Sequence, residues 1–137
     1  MTSLVDRAIA AALASPDVTC RRVIAIWLFG SHASGTASAA SDVDLAILCE
    51  PPLGPARANV MDHVALAIGR DADIIDLAST SATLAWEVVT TGVLALELDE
   101  PAVERYVLNA RHAADDAEQR DRMVLLAQAG SLGTATR

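Results

Sequence analysis

The sequence predicts an α/β domain with a small mixed β-sheet and helices packed on it. Three observations carry that reading. Short apolar runs of strand length, 22–29, 42–49 and 72–78, are separated by segments whose apolar residues recur at helical spacing. A glycine-serine pair and a pair of aspartates, Gly30-Ser31 and Asp42-Val43-Asp44, occupy the interval where the first run gives way to the second. At 137 residues the chain is long enough for one core and too short for two.

The elements follow in order. Leu4, Val5, Ala8, Ile9, Ala12 and Leu13 line one face of a helix over 3–14, which Ser15-Pro16-Asp17 ends. Residues 22–29 are β-branched and aromatic, bounded by Arg21-Arg22 and Gly30, and read as a buried strand. The small and polar residues of 30–41 suit a tight turn and one short helical turn. The second strand spans 42–49, with Asp42 and Asp44 on one face and Val43, Leu45 and Ile47 on the other. A Pro/Gly loop, Glu50 to Pro55, leads to a helix over 56–69. In the third strand, 72–78, Asp73 and Ile75 share one face while Ile74 and Asp76 share the other. Ser79, Thr80 or Ser81 caps a helix to about Val89, and 93–98 form a last strand. Asp99-Glu100-Pro101 open a final helix running from about Ala102 to Gln128, with a narrow stripe of Val103, Val107, Ala110, Ala114 and Ala117. The domain is expected over 1–100, the helix over 101–129 and a frayed tail over 130–137.

Composition narrows the function. The net charge is −8 and all ten basic residues are arginine. Such a chain lacks the basic footprint of a protein that binds nucleic acid directly. Cys20 and Cys49 have no metal-ligand spacing and are too few for a disulfide framework, so both are expected as buried free thiols in a reducing cytoplasm. The sequence shows no signal peptide and no stretch apolar enough to span a bilayer, so no membrane association is expected.

The chemistry lies in residues 30–44. Glycine lets a phosphate approach the backbone closely, and a following helical turn offers N–H groups and the Ser31 hydroxyl. Two aspartates on one strand face repel each other unless a cation compensates. They suit a pair of Mg²⁺ ions, which take carboxylates, phosphate oxygens and waters. A third carboxylate from the next strand would complete the set. Asp73 is the better candidate by the two-residue side-chain period, and Asp76, on the opposite face near the strand end, is the alternative.

Gly30-Ser31, ten intervening residues and Asp42-Val43-Asp44 resemble the signature of the nucleotidyltransferases related to DNA polymerase β. The size and element order resemble the minimal, single-domain (MNT) members of that superfamily, over about residues 5–100. The resemblance implies the polymerase β-like nucleotidyltransferase fold, with Gly30 and Ser31 holding the triphosphate and Asp42, Asp44 and Asp73 forming the Mg²⁺ site. One departure stands out: His32 and Ser34 occupy places where many minimal members carry arginine. Histidine can restore part of that charge when protonated. The resemblance further implies an antitoxin that transfers AMP from ATP to a tyrosine of a HEPN-domain ribonuclease toxin, with the toxin as a hetero-oligomeric partner. An antitoxin acting by binding alone, or a nucleotidyltransferase acting on a small-molecule hydroxyl, are the other readings. The alanine stripe of the last helix and Met123-Val124-Leu125-Leu126 serve either the chain's own sheet or that partner.

Overall fold

The computed structural model describes residues 2–135, with side chains to residue 130. Its elements are α1 (Leu4–Ala14), α2 (Pro16–Thr19), β1 (Arg22–Phe29), α3 (Ser31–Ser34), β2 (Val43–Glu50), α4 (Arg57–Ile68), β3 (Ala72–Asp76), α5 (Ala82–Thr91), β4 (Val93–Glu97) and α6 (Glu100–Ala135). A 3₁₀ turn, Gly54–Ala56, leads into α4. The strands form one mixed sheet in the order β3-β2-β1-β4. β1 pairs antiparallel with β2 and with β4, while β2 pairs parallel with β3 across the α4 crossover.

The sheet is covered on both faces. Alternate residues of β2, Val43, Leu45 and Ile47, meet Ala8 and Ala12 of α1 and Val60 and Val64 of α4. Ala46 and Leu48 face the other way, with Trp27, Ile75, Val88 of α5 and Val103 of α6. A strand buried on both sides needs apolar residues at every position, which is why Leu45 to Cys49 is an unbroken apolar run. In β1 the register with β2 shifts between Val23 and Ala25, so Ile24 and Ala25 both turn toward the second face.

Helix ends are set by side chains. Ser3 Oγ accepts from the Asp6 N–H at 3.0 Å and starts α1. Of the three candidate caps before α5, Ser81 takes the role, accepting from Leu84 N–H. Asp99 Oδ1 accepts from Ala102 N–H and its Oδ2 accepts from Arg22 Nη1 at 2.7 Å, so the start of α6 is tied to the start of β1.

Three expectations need correcting. Cys49 is buried, but Cys20 is exposed, because it follows α2 in the turn before β1. Pro16–Thr19 form a separate helical turn instead of a plain break, Pro16 being well suited to a first helical position. The last helix continues to Ala135, beyond Gln128 and into the expected tail; residues 136 and 137, the end of that tail, lie outside the described residues.

The stripe on α6 packs on the chain's own body only at first. Ala102, Val103 and Ala110 are buried, and Tyr106 donates to the Leu77 carbonyl at 2.7 Å. Burial, and Asp76 after it, push the Tyr106 hydroxyl up to about 12. Farther along, Met123, Val124, Leu125 and Leu126 are all more than half exposed. Successive helical residues are 100° apart, so these four cover every side of one turn.

Ile47 is fully enclosed between α1, α4 and the sheet. Ile47→Ala is expected to lower the unfolding free energy by about 2–5 kcal/mol. Urea denaturation checks it, with the midpoint moving and the slope unchanged.

Candidate active site

β1 ends at Phe29, and the chain reverses at Gly30, whose φ of 71° and ψ of −153° suit glycine. The Gly30 carbonyl accepts from the Ala33 and Ser34 N–H groups and so opens α3. Gly30 has a second reason to lack a side chain: a Cβ there would overlap the Asp44 carboxylate oxygen Oδ2. The phosphate-cradle candidate and the carboxylate candidate are therefore in direct apposition, fixed by the pairing of Phe29 with Asp44 across β1 and β2.

The connection from α3 to β2 is held by its own small polar residues. Ser34 Oγ bonds to the Ser31 carbonyl and to Thr36 Oγ1, and Ser41 Oγ accepts from Ser38 N–H at 2.8 Å. His32 Nε2 lies 3.4 Å from the Ser41 carbonyl, linking α3 to the residue before Asp42. Ser34 thus closes the turn instead of supplying the charge that an arginine would.

Asp44 is half-buried on β2, with Asp42 exposed just before the strand. In the parallel ladder Asp44 is registered with Asp73, so the two carboxylates stand side by side on the same face. The Asp44 carboxyl is held above its ordinary value by burial first, then by the charges of Asp73 and Asp42, with His32 opposing them. Asp42, Asp44 and Asp73 form one electrostatic group. Asp76 does not join it. Its side chain is 5% exposed and faces away, accepting from Gly54 N–H at 2.9 Å and Ala78 N–H at 3.3 Å. It ties the loop before α4 to the end of β3.

Arg57, in the first turn of α4, has no signal in the linear sequence. Its Nη1 donates to the Ile74 carbonyl at 2.9 Å and lies 4.0 Å from Asp73 Oδ1. Beside it a cleft of about 590 Å³ opens, with Phe29, Ile75 and Leu84 as apolar walls and Arg57, Asp73, Ser79 and Thr80 as polar ones. Only the tertiary structure brings Arg57 here, because the α4 crossover returns its first turn to the β3 edge.

Among the described residues no three His, Cys, Asp or Glu side chains stand as a ready-made metal cluster. The donor set nonetheless fits a hard divalent cation. It is all carboxylate and carries excess negative charge, and Mg²⁺ commonly keeps waters and phosphate oxygens while taking only one or two protein carboxylates.

A family model described as polymerase beta nucleotidyltransferase matches residues 18–101. The chain belongs to that family. Protein adenylyltransferase MntA of Shewanella oneidensis (strain MR-1) is 41% identical over 68 residues, which are 49% of this chain and 49% of MntA. The matched region thus spans about half the length of that relative. The fold is similar to that of a crystal structure of a toxin-antitoxin with AMP-PNP, with a TM-score of 0.71 and 27% identity over 89% of this chain and 95% of the other. It is also similar to a structure of tri-AMPylated Shewanella oneidensis HEPN toxin in complex with MNT antitoxin, with a TM-score of 0.69 and 25% identity over 94% of this chain and 98% of the other. The sheet described above is thus the small mixed sheet of a polymerase β-like nucleotidyltransferase. No described helix is long and apolar enough to cross a membrane.

Two predictions follow from the apposition at Gly30. Gly30→Ala combines an unfavourable φ with overlap on Asp44, and is expected to cost about 1–3 kcal/mol by thermal or urea unfolding. Asp44→Asn should act in the opposite sense. A carboxyl held above its ordinary value penalises the folded state when ionised. The penalty is absent at pH below the ordinary value and grows as pH rises through the raised one. At neutral pH Asp44→Asn is therefore expected to raise Tm, by on the order of 2 °C, and to flatten the acidic part of the Tm–pH curve. A lower Tm for Asp44→Asn at neutral pH would show that favourable contacts hold the carboxylate.

Proposed function

We propose that this chain is a Mg²⁺-dependent nucleotidyltransferase that moves AMP from ATP to a tyrosine of a HEPN-domain toxin and thereby neutralises it as an antitoxin. The observation that carries the reading is the register of Asp44 with Asp73 beside the Gly30 turn, within a polymerase β-type nucleotidyltransferase domain.

Asp42, Asp44 and Asp73 are the residues to hold the metal. Bound there, Mg²⁺ would neutralise the triphosphate and stabilise charge on the attacking and leaving oxygens. Gly30 leaves room for phosphate against the backbone, and Ser31 adds a hydroxyl donor. His32, near enough to Asp44 to oppose the burial of its charge, is the one imidazole at the cradle. Asp73, more exposed than Asp44, is placed to take the acceptor's proton. Crowded carboxylates favour loading the cation and the triphosphate together, because each compensates the other's charge.

A protein acceptor suits the rest of the molecule. Its net charge of −8 suits a basic partner such as an RNA-cleaving toxin, and the apolar turn Met123 to Leu126 leaves surface for one. The neighbouring structures, a toxin-antitoxin with AMP-PNP and an AMPylated HEPN toxin with an MNT antitoxin, point the same way. Free thiols at Cys20 and Cys49 are in keeping with the cytoplasm.

The test is co-expression with a HEPN-domain partner, followed by mass spectrometry for AMP on tyrosine. The double variant Asp42→Asn/Asp44→Asn is expected to lower transfer roughly a thousandfold, as the loss of several kcal/mol of charge stabilisation implies. If that variant still binds the partner and neutralises it fully, neutralisation is by contact alone.

A further inference from the structure

Apart from Asp73, the residues that line the cleft have no part in holding phosphate or metal as described so far. We propose that this cleft is the acceptor pocket, taking the ring of a phenolic side chain between Phe29, Ile75 and Leu84, and that Arg57 is the positioning residue that sets Asp73 against the acceptor hydroxyl. This rests on the nucleotidyl-transfer reading above and adds to it where the acceptor enters.

In-line displacement fixes the side from which the acceptor approaches. The acceptor oxygen bonds to the α-phosphorus, the bond from that phosphorus to the bridging oxygen breaks, and pyrophosphate leaves on the opposite side with the electron pair. The hydroxyl proton passes to Asp73 or to water. The Gly30–Ser31 cradle follows β1, Asp44 is on β2 and Asp73 is on β3, in that spatial order. Strands are about 4.8 Å apart, so cradle and Asp73 are separated by roughly two strand spacings. With pyrophosphate leaving toward the cradle, the acceptor arrives from the β3 side, where Arg57, Asp73, Ser79 and Thr80 line the cleft that Phe29 closes on the β1 side.

The lining fits the acceptor class. Phe29, Ile75 and Leu84 give apolar walls for a ring, and Asp73 gives a polar end for its hydroxyl. A serine side chain would leave those walls uncovered. Arg57 is anchored at the rim by the Ile74 carbonyl, which holds its guanidinium 4.0 Å from Asp73 Oδ1. Asp76, buried beneath, holds Gly54 N–H and so the turn from which Arg57 projects. Among the described residues Arg57 Nη1 alone is engaged, so the rest of the fork is available to the acceptor's backbone carbonyls.

Purified HEPN-domain toxin serves as the acceptor probe, with Mg²⁺ and ATP, and Mg²⁺–ATP affinity is measured separately by calorimetry. Arg57→Ala is expected to keep Mg²⁺–ATP affinity within about twofold, raise the acceptor KM about tenfold and lower kcat about tenfold, with Arg57→Lys recovering part of kcat. Leu84→Trp, which fills the cleft, is expected to raise acceptor KM with Mg²⁺–ATP affinity unchanged. Retained Mg²⁺–ATP binding shows that each variant is folded. Should both variants weaken Mg²⁺–ATP binding as much as transfer, the cleft holds nucleotide and the proposal is wrong. It is equally wrong if acceptor KM is unmoved in both. Absence of transfer by the wild-type chain would instead defeat the function proposed above, and this pocket with it.

Discussion

Asp44 is pressed toward neutrality by its own burial and by two neighbouring carboxylates, and this tension organises the structure around it. The parallel pairing of β2 with β3 places Asp73 next to it, and the antiparallel pairing with β1 brings Gly30 against its oxygen. Neither contact relieves the charge. The surrounding body provides the compensation. Both faces of β2 are filled with aliphatic side chains, so the strand cannot tilt to move Asp44 into solvent without opening the core. A fold that holds like charges together in this way is already arranged for a cationic complement.

Much of this was legible in the chain. The short apolar runs announce the strands, and the two-residue period separates Asp73 from Asp76. The structure puts Asp73 beside Asp44 and turns Asp76 into a buried acceptor for two backbone N–H groups. Arg57 was not legible. It is 13 positions beyond Asp44 and 16 before Asp73, and it reaches β3 only because α4 crosses over and returns its first turn to that edge. Short-range patterns do not encode such meetings. The full length of α6 was obscured for a different reason: Gly130 and Gly133, poor helix formers, follow Gln128, yet the helix runs on through them to Ala135.

The absence of lysine gives the site a particular character. Every permanent cation near it is a guanidinium, planar and weakly hydrated, which forms directed bonds in place of a mobile point charge. Arg57 spends one of its donors on a backbone carbonyl, so its position is set by the sheet itself. On the cradle side Ser34 and Thr36 bond to each other and to the turn, which leaves shape there to hydroxyls and backbone. Permanent positive charge and the Gly30 turn thus occupy different ends of the row of carboxylates.

The exposed turn at Met123 to Leu126 bears on how many subunits can assemble. A helix with one apolar stripe is satisfied by one flat neighbour, but a turn that is apolar on every side is not. A single flat surface would leave half of it wet. Complete shielding requires either a partner with a furrow deep enough to enclose a helix about 10 Å across, or two partner subunits closing on it from opposite sides. The pattern of four adjacent residues on this helix thereby constrains the geometry, and with it the stoichiometry, of any complex that covers it.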